Sequence, residues 1–214
     1  MARRDTRELI LQTSLRLFNH LGEPNVTTNL IADEAEISPG NLYYHFRQKQ
    51  DIVENLFSRF AESLLPLIDI SPDSPFDAES LWFRMHMVFE VKGQYRFIYR
   101  NLSDLENRMP NVDKALKAIL LREKTAITAL FYALSSREVM RARDMELSLL
   151  TDQLMITLTY WIPFADLFDP QGFKDGTAQV KAIARIFLLT LPYLNEPWRG
   201  EAEGLAQAYL GNLA

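Results

Sequence analysis

Along almost the whole chain, apolar residues return every three or four positions, and this habit constrains the fold more than any other feature. Between 48 and 68, Ile52, Leu56, Phe60 and Leu64 follow at intervals of four, which lines them up on one side of an α-helix. A half-buried strand would alternate in period two, and the β-branched residues do not. The expected fold class is all-α. A chain of 214 residues, 48% of them hydrophobic, buries a sizeable core without covalent staples. It contains no cysteine, which excludes disulfides, thiolate metal sites and cysteine nucleophiles and fits a reducing, cytoplasmic location. Arg3, Arg4, Asp5, Arg7 and Glu8 interrupt the first ten residues, where a secretory signal would need an apolar run. No uninterrupted apolar stretch approaches the roughly 18 residues of a membrane span.

Start and stop signals divide the helical pattern. A first helix is expected over 5–21, with Ile10, Leu17, Phe18 and Leu21 on one stripe, Gly22 at its end and Pro24 beyond. Thr27 is placed to cap a very short helix over 28–35, and Ser38-Pro39 starts another that ends near Phe46. A longer helix covers 48–68, where Pro66 marks a kink or an end. The stretch 69–77, with two prolines and three aspartates, reads as a linker. Further helices are expected at 78–92, 95–107, 111–135, 141–168 and 175–194, and a weak one in the tail. This gives a DNA-binding part at 1–47, a connecting helix at 48–68 and a larger helical part at 69–214.

Two very short helices joined by a tight turn on a supporting helix suggest a helix-turn-helix. The run from Thr27-Thr28 through Leu30-Ile31-Ala32, Ala35, Ser38, Gly40, Leu42-Tyr43-Tyr44-His45-Phe46 to Lys49 resembles the DNA-binding region of TetR/AcrR-type transcriptional regulators. The resemblance covers residues 5–60 and implies an N-terminal three-helix DNA-binding domain followed by a larger helical ligand-binding and dimerisation domain. It also implies that Tyr43 and His45 contact DNA, that Tyr44 is able to do the same, and that Lys49 binds phosphate. The residues speak for this in their own right. Gly40 has no side chain to hold the second short helix away from a duplex. Asn41 offers both a donor and an acceptor to a base edge. Leu42 and Phe46, four apart, are the better core pair, so the three rings between them cannot all be core. Surface or interdomain packing is the plain alternative for each ring. Thr27 is either a plain helix cap or a phosphate contact, and the two roles are compatible because a capped N-terminus is itself an anion site, with Thr28 next to the same phosphate. Ser38 is counted with them as a DNA contact. Arg3, Arg4 and Arg7 form either a backbone-reaching arm or a solvated terminus.

One departure stands out: where the family commonly has glycine after the first short helix, this chain has Glu36. A left-handed glutamate there costs roughly 1 kcal/mol. Asp33, Glu34 and Glu36 make this element acidic and are expected to face away from DNA.

Beyond residue 77 the aromatics are dense. They either fill a core or line an apolar pocket for a small molecule, with Trp82, Met85, Phe89 and Tyr160 as the pocket candidates. The segments 141–168 and 175–194 carry more apolar surface than one neighbour covers. The resemblance implies that Leu154, Leu158, Ile183 and Phe187 pair with their copies across a two-fold axis.

The formal net charge is −5, which excludes a protein coated in positive charge but not a small basic footprint. Arg47 and Lys49 have no acid among residues 41–50, and residues 1–16 hold four arginines against Asp5 and Glu8. The expected function is a dimeric repressor of a palindromic operator, released by a small apolar or amphipathic effector. A DNA-binding regulator controlled by a protein partner is the alternative. An enzyme is not expected, because the three histidines are scattered and neither a metal-spaced cluster nor a Gly-rich phosphate loop occurs. No cofactor and no metal are expected.

Overall fold

Thr27, Ser38 and Asp169 each open a helix by accepting a backbone N–H with the side chain. The computed structural model describes residues 6–69, 77–100, 102 and 107–211. Its helices run α1 (Thr6–Leu21), α2 (Thr28–Glu34), α3 (Pro39–His45), α4 (Lys49–Ile68), α5 (Ala78–Gln94), α6 (Phe97–Arg100), α7 (Pro110–Ser136), α8 (Asp144–Phe168), α9 (Pro170–Asp175), α10 (Thr177–Thr190) and α11 (Trp198–Gly211). Among the described residues no strand forms, and one bridge pairs Met140 with Leu194. Arg3, Arg4 and most of the expected 69–77 linker lie outside the described residues, as does part of the helix expected at 95–107. Pro66 sits in the last turn of α4 and Pro163 inside α8, and neither ends its helix on the spot.

The chain divides into two compact units, residues 1–63 with 94–116 and residues 64–93 with 117–214. In the first, α1 and α4 enclose Ile10, Leu11, Phe18, Ile52, Leu56 and Phe60, all fully or almost fully buried. Burying each such side chain stabilises by about 1.5–3 kcal/mol before chain entropy is counted. The segment from 94 onward joins this unit for specific reasons. Asn19 donates to the Gln94 carbonyl at 2.7 Å and accepts from the Phe97 amide at 3.1 Å. Phe60 packs edge-to-face against Tyr95 and Tyr99. Arg59 grips both oxygens of Glu8 at 2.9 and 2.5 Å, and these hydrogen bonds hold the Glu8 carboxyl below its usual range.

In the second unit, α10 and α11 pack together, and Trp82 of α5 stacks on Tyr209 at 4.4 Å between ring centres. Asp169 caps α9 through the Gly172 amide and binds Lys181 of α10 at 2.6 Å, tying the two helices together. Lys124 and Asp152 link α7 to α8 at 2.7 Å. At the start of α8, the Arg143 guanidinium and backbone N–H both donate to Glu146, which pulls that carboxyl down to about 2. No described helix is long and apolar enough to cross a membrane.

Candidate nucleic-acid interface and ligand cavity

α2 and α3 are short because both ends of each are chemically marked. The Thr27 hydroxyl accepts from the Leu30 amide at 3.2 Å and the Ser38 hydroxyl from the Asn41 amide at 3.2 Å, so each helix opens on a side-chain cap. Pro39 follows Ser38 at the first helical position, where its missing N–H is no loss. The turn between them closes with Glu36 donating to the Asp33 carbonyl and Ile37 to the Ala32 carbonyl, a Schellman pair. Glu36 takes φ 54°, the left-handed conformation that glycine adopts freely. The departure noted in the sequence thus carries real backbone strain.

Leu42 and Phe46 turn inward and are buried, which aims the rest of α3 outward. Asn41 is exposed, as are Tyr43 and above all Tyr44, at 84%. The Tyr43 hydroxyl shares a 2.9 Å hydrogen bond with Thr28, which fixes the phenol against α2. His45 is half-buried and meets Tyr44 edge-to-face at 5.2 Å. Gly40 is open: a Cβ there would meet nothing nearer than Ser38 Oγ at 4.0 Å, and its φ is not left-handed. Nothing among the described residues therefore requires glycine at this position. Thr27, Thr28, Ser38, Gly40, Asn41, Tyr43, Tyr44 and His45 lie together along α2 and α3. They form an outward ridge of hydroxyl, amide and imidazole groups able to bond phosphates and base edges.

Lys49 makes internal contacts that the resemblance did not imply. Its ammonium donates to the Glu23 and Val26 carbonyls at 3.0 Å each and lies 2.8 Å from Glu23 Oε1. Two backbone carbonyls accept from it and the Glu23 carboxylate sits beside it as an ion pair, and burial lowers the pKa of the amine. Glu23 is buried and also pairs with Arg108. Lys49 thus holds the segment before α2 against the start of α4 through contacts inside the protein. No local signal pointed to this, because Glu23 is 26 residues away and is one acid among 28. Arg7 is likewise engaged, bonding Asn55 and lying over the Phe46 ring at 5.0 Å. Asp33, Glu34 and Glu36 are exposed, and Glu34 is paired with Arg16.

The second unit holds a cavity of about 70 Å³, walled by α4's last residues, Leu67 and Ile68, and by apolar side chains of α5, α7, α8 and α10. Of the four pocket candidates, Met85 is on its wall. Trp82 and Phe89 are buried but are not wall residues, and Tyr160 is 55% exposed on the outer face of α8. The four residues expected at a dimer seam need the opposite correction. Leu154, Leu158, Ile183 and Phe187 are all buried within their own protomer, and Leu154, Leu158 and Phe187 line the cavity. Leu154, the most exposed of the four, is 6% exposed. The apolar surface that α8 does leave open lies on another face, at Met145, Leu149, Ile156, Tyr160, Phe164 and Leu167.

Comparisons with known proteins agree with this architecture. Residues 10–56 match the family model described as bacterial regulatory proteins, tetR family. Residues 59–201 match a second, described as bacterial transcriptional repressor. A crystal structure of a TetR-family transcriptional regulator from Marinobacter aquaeolei VT8 superposes with a TM-score of 0.85 at 32% identity, covering 96% of this chain and 98% of that one. The TetR family protein CprB from S. coelicolor A3(2) shares the fold at 16% identity, with a TM-score of 0.68 over 96% of this chain and 98% of its own. The biofilm operon icaADBC negative transcriptional regulator IcaR of Staphylococcus epidermidis is 28% identical over 102 residues, 45% of this chain and 53% of IcaR. The chain spans about half the length of the curated relatives it matches. With a helix-turn-helix at 28–45, a larger helical unit beyond it and family matches over both, the chain belongs to the TetR family of bacterial transcriptional regulators.

Proposed function

We propose that the protein is a dimeric DNA-binding repressor that reads a palindromic operator through α3 and leaves it when a small, largely apolar molecule enters the cavity of the second unit. The observation that carries the DNA half is the outward ridge of α3, with Asn41, Tyr43 and Tyr44 exposed beside a Gly40 that the fold itself does not need. Asn41 and Tyr43 enter the major groove, while the N-termini of α2 and α3, with Thr27, Thr28 and Ser38, take phosphates and fix register. His45 reaches the backbone beside them.

Dimerisation runs through the exposed apolar face of α8, together with Leu188 and Leu189 of α10, which are also exposed. An isologous dimer sets two α3 helices about one DNA turn, ~34–36 Å, apart. Coupling to the effector passes along α4. This single helix begins at Lys49, which holds the segment before α2, and ends at Leu67 and Ile68 on the cavity wall. A ligand shifts operator affinity only by its difference in affinity for the two conformations, typically 1–3 kcal/mol. The cavity favours this reading over control by a protein partner alone.

Selecting bound duplexes from a random pool tests the proposal. Two inverted half-sites with centres about 10 base pairs apart are expected. Enrichment of an unpaired single site, or of nothing, refutes it.

A further inference from the structure

We infer that the effector is a neutral molecule with a short apolar body and one hydrogen-bond donor, which it presents to Glu123. This deepens the ligand-responsive reading above and rests on it. The cavity wall is apolar except for Glu123 and Thr190. Glu123 is 2% exposed, and its countercharge is Lys92, fully buried, with Nζ 3.1 Å from Oε2 and 2.8 Å from Oε1. Lys92 also donates to the Leu158 carbonyl at 3.1 Å. The contact to Oε1 lacks hydrogen-bond geometry, so this buried oxygen has no hydrogen-bond partner. A carboxylate accepts about four hydrogen bonds, and one ammonium cannot supply them.

A buried acceptor left open is costly, and it is repaid only by a donor. Thr190, the other polar wall residue, donates its hydroxyl to the Phe187 carbonyl at 2.7 Å, so the donor must arrive on the ligand. Its charge is constrained as well. A ligand carboxylate would meet Glu123 in a dry site, and a ligand ammonium would meet Lys92. A hydroxyl escapes both penalties. An ether fills the same space but offers the carboxylate nothing. Replacing the two charges together leaves a cavity that no longer rewards the donor, and such a swap by apolar residues of similar volume is often neutral for stability.

The test is titration calorimetry of the full chain with 1-hexanol, its isomer methyl pentyl ether, hexanoate and hexylammonium, with the selected operator duplex titrated in parallel. The expected result is that hexanol binds about tenfold more tightly than the ether and than either ion. In the double variant Lys92→Met/Glu123→Leu the ether is expected to bind at least as well as hexanol. Equal binding of hexanol and the ether by the natural chain, tighter binding of either ion, or no binding of any probe overturns the inference. So does a double variant that binds and keeps the tenfold preference. If that variant does not fold, the four-probe series on the natural chain still decides. Hexanol binding with this selectivity but unchanged operator affinity would leave the ligand class standing and refute the coupling. Operator release by an ionic effector would do the reverse.

Discussion

Replacing Gly40 by alanine separates two reasons for a glycine at the second position of α3. If the fold needs it, the added methyl must strain something; if DNA needs it, the free protein is indifferent. The structure gives the Cβ an ordinary 4.0 Å contact with Ser38 Oγ and a φ that alanine adopts readily. Gly40 is a helical residue, so alanine is expected to stabilise the free protein by about 0.5–1 kcal/mol. On DNA the same methyl projects from the exposed N-terminus of α3, where a close-fitting surface pays about 1–3 kcal/mol for an extra carbon. Urea denaturation followed by circular dichroism measures the first effect, and fluorescence anisotropy with the selected duplex measures the second. A more stable protein with roughly 5- to 150-fold weaker operator binding is expected. Loss of stability would mean that the fold demands glycine, and undiminished binding would mean that α3 does not approach DNA at this end.

Four side chains test other parts of the account. Lys49→Ala is expected to destabilise by about 2 kcal/mol, because two carbonyl contacts and a buried carboxylate lose their cation. The salt slope of operator binding should stay the same, and a slope flatter by one phosphate would reinstate Lys49 as a DNA contact. Glu36→Gly should raise stability by about 1 kcal/mol by relieving a φ of 54°, read as a higher urea midpoint; a lower midpoint contradicts the strain. Glu146 has a carboxyl held at about 2, below its ordinary value of 4.5, so its contribution is complete above 4.5 and fades as pH falls through 2. A carboxyl carbon-13 titration should place that midpoint near 2 and return it toward 4.5 in Arg143→Ala; an unmoved midpoint removes Arg143 as the cause. Asn41→Ala is expected to relax base preference at one position of each half-site, read by duplex selection; an unchanged preference contradicts base reading by Asn41.

Much of the DNA-binding half was legible because its signals are local. Thr27 and Ser38-Pro39 start α2 and α3 through hydrogen bonds three residues long, and Leu42 and Phe46 share a face by spacing alone. Glu36 stood out as the residue that would be strained, since it replaces a turn glycine. What failed depended on distance or on facing. The acceptors of Lys49 are 26 and 23 residues back in the chain, and Lys92 and Glu123 are 31 apart. A charge in an apolar helix gives no sign of its partner. In α8 the apolar residues occupy two faces. Leu154 and Leu158 point inward, and Ile156, Tyr160 and Phe164 point outward. Periodicity locates such faces without saying which one meets the protomer's own core. The resemblance therefore placed a dimer seam on residues that are buried in the protomer's own core.

Asn41 is where the central claim, that α3 reads base edges, meets its most direct measurement. An amide side chain pairs bidentately with adenine, and losing one such contact costs about 1–3 kcal/mol at one base pair in each half-site. Duplex selection is to be run side by side on the natural chain and on Asn41→Ala. The account predicts the same spacing and the same half-sites, with preference relaxed at one symmetry-related position in both. An unchanged consensus with uniformly weaker binding would place Asn41 on the backbone, and an unchanged consensus at full affinity would remove α3 from the groove.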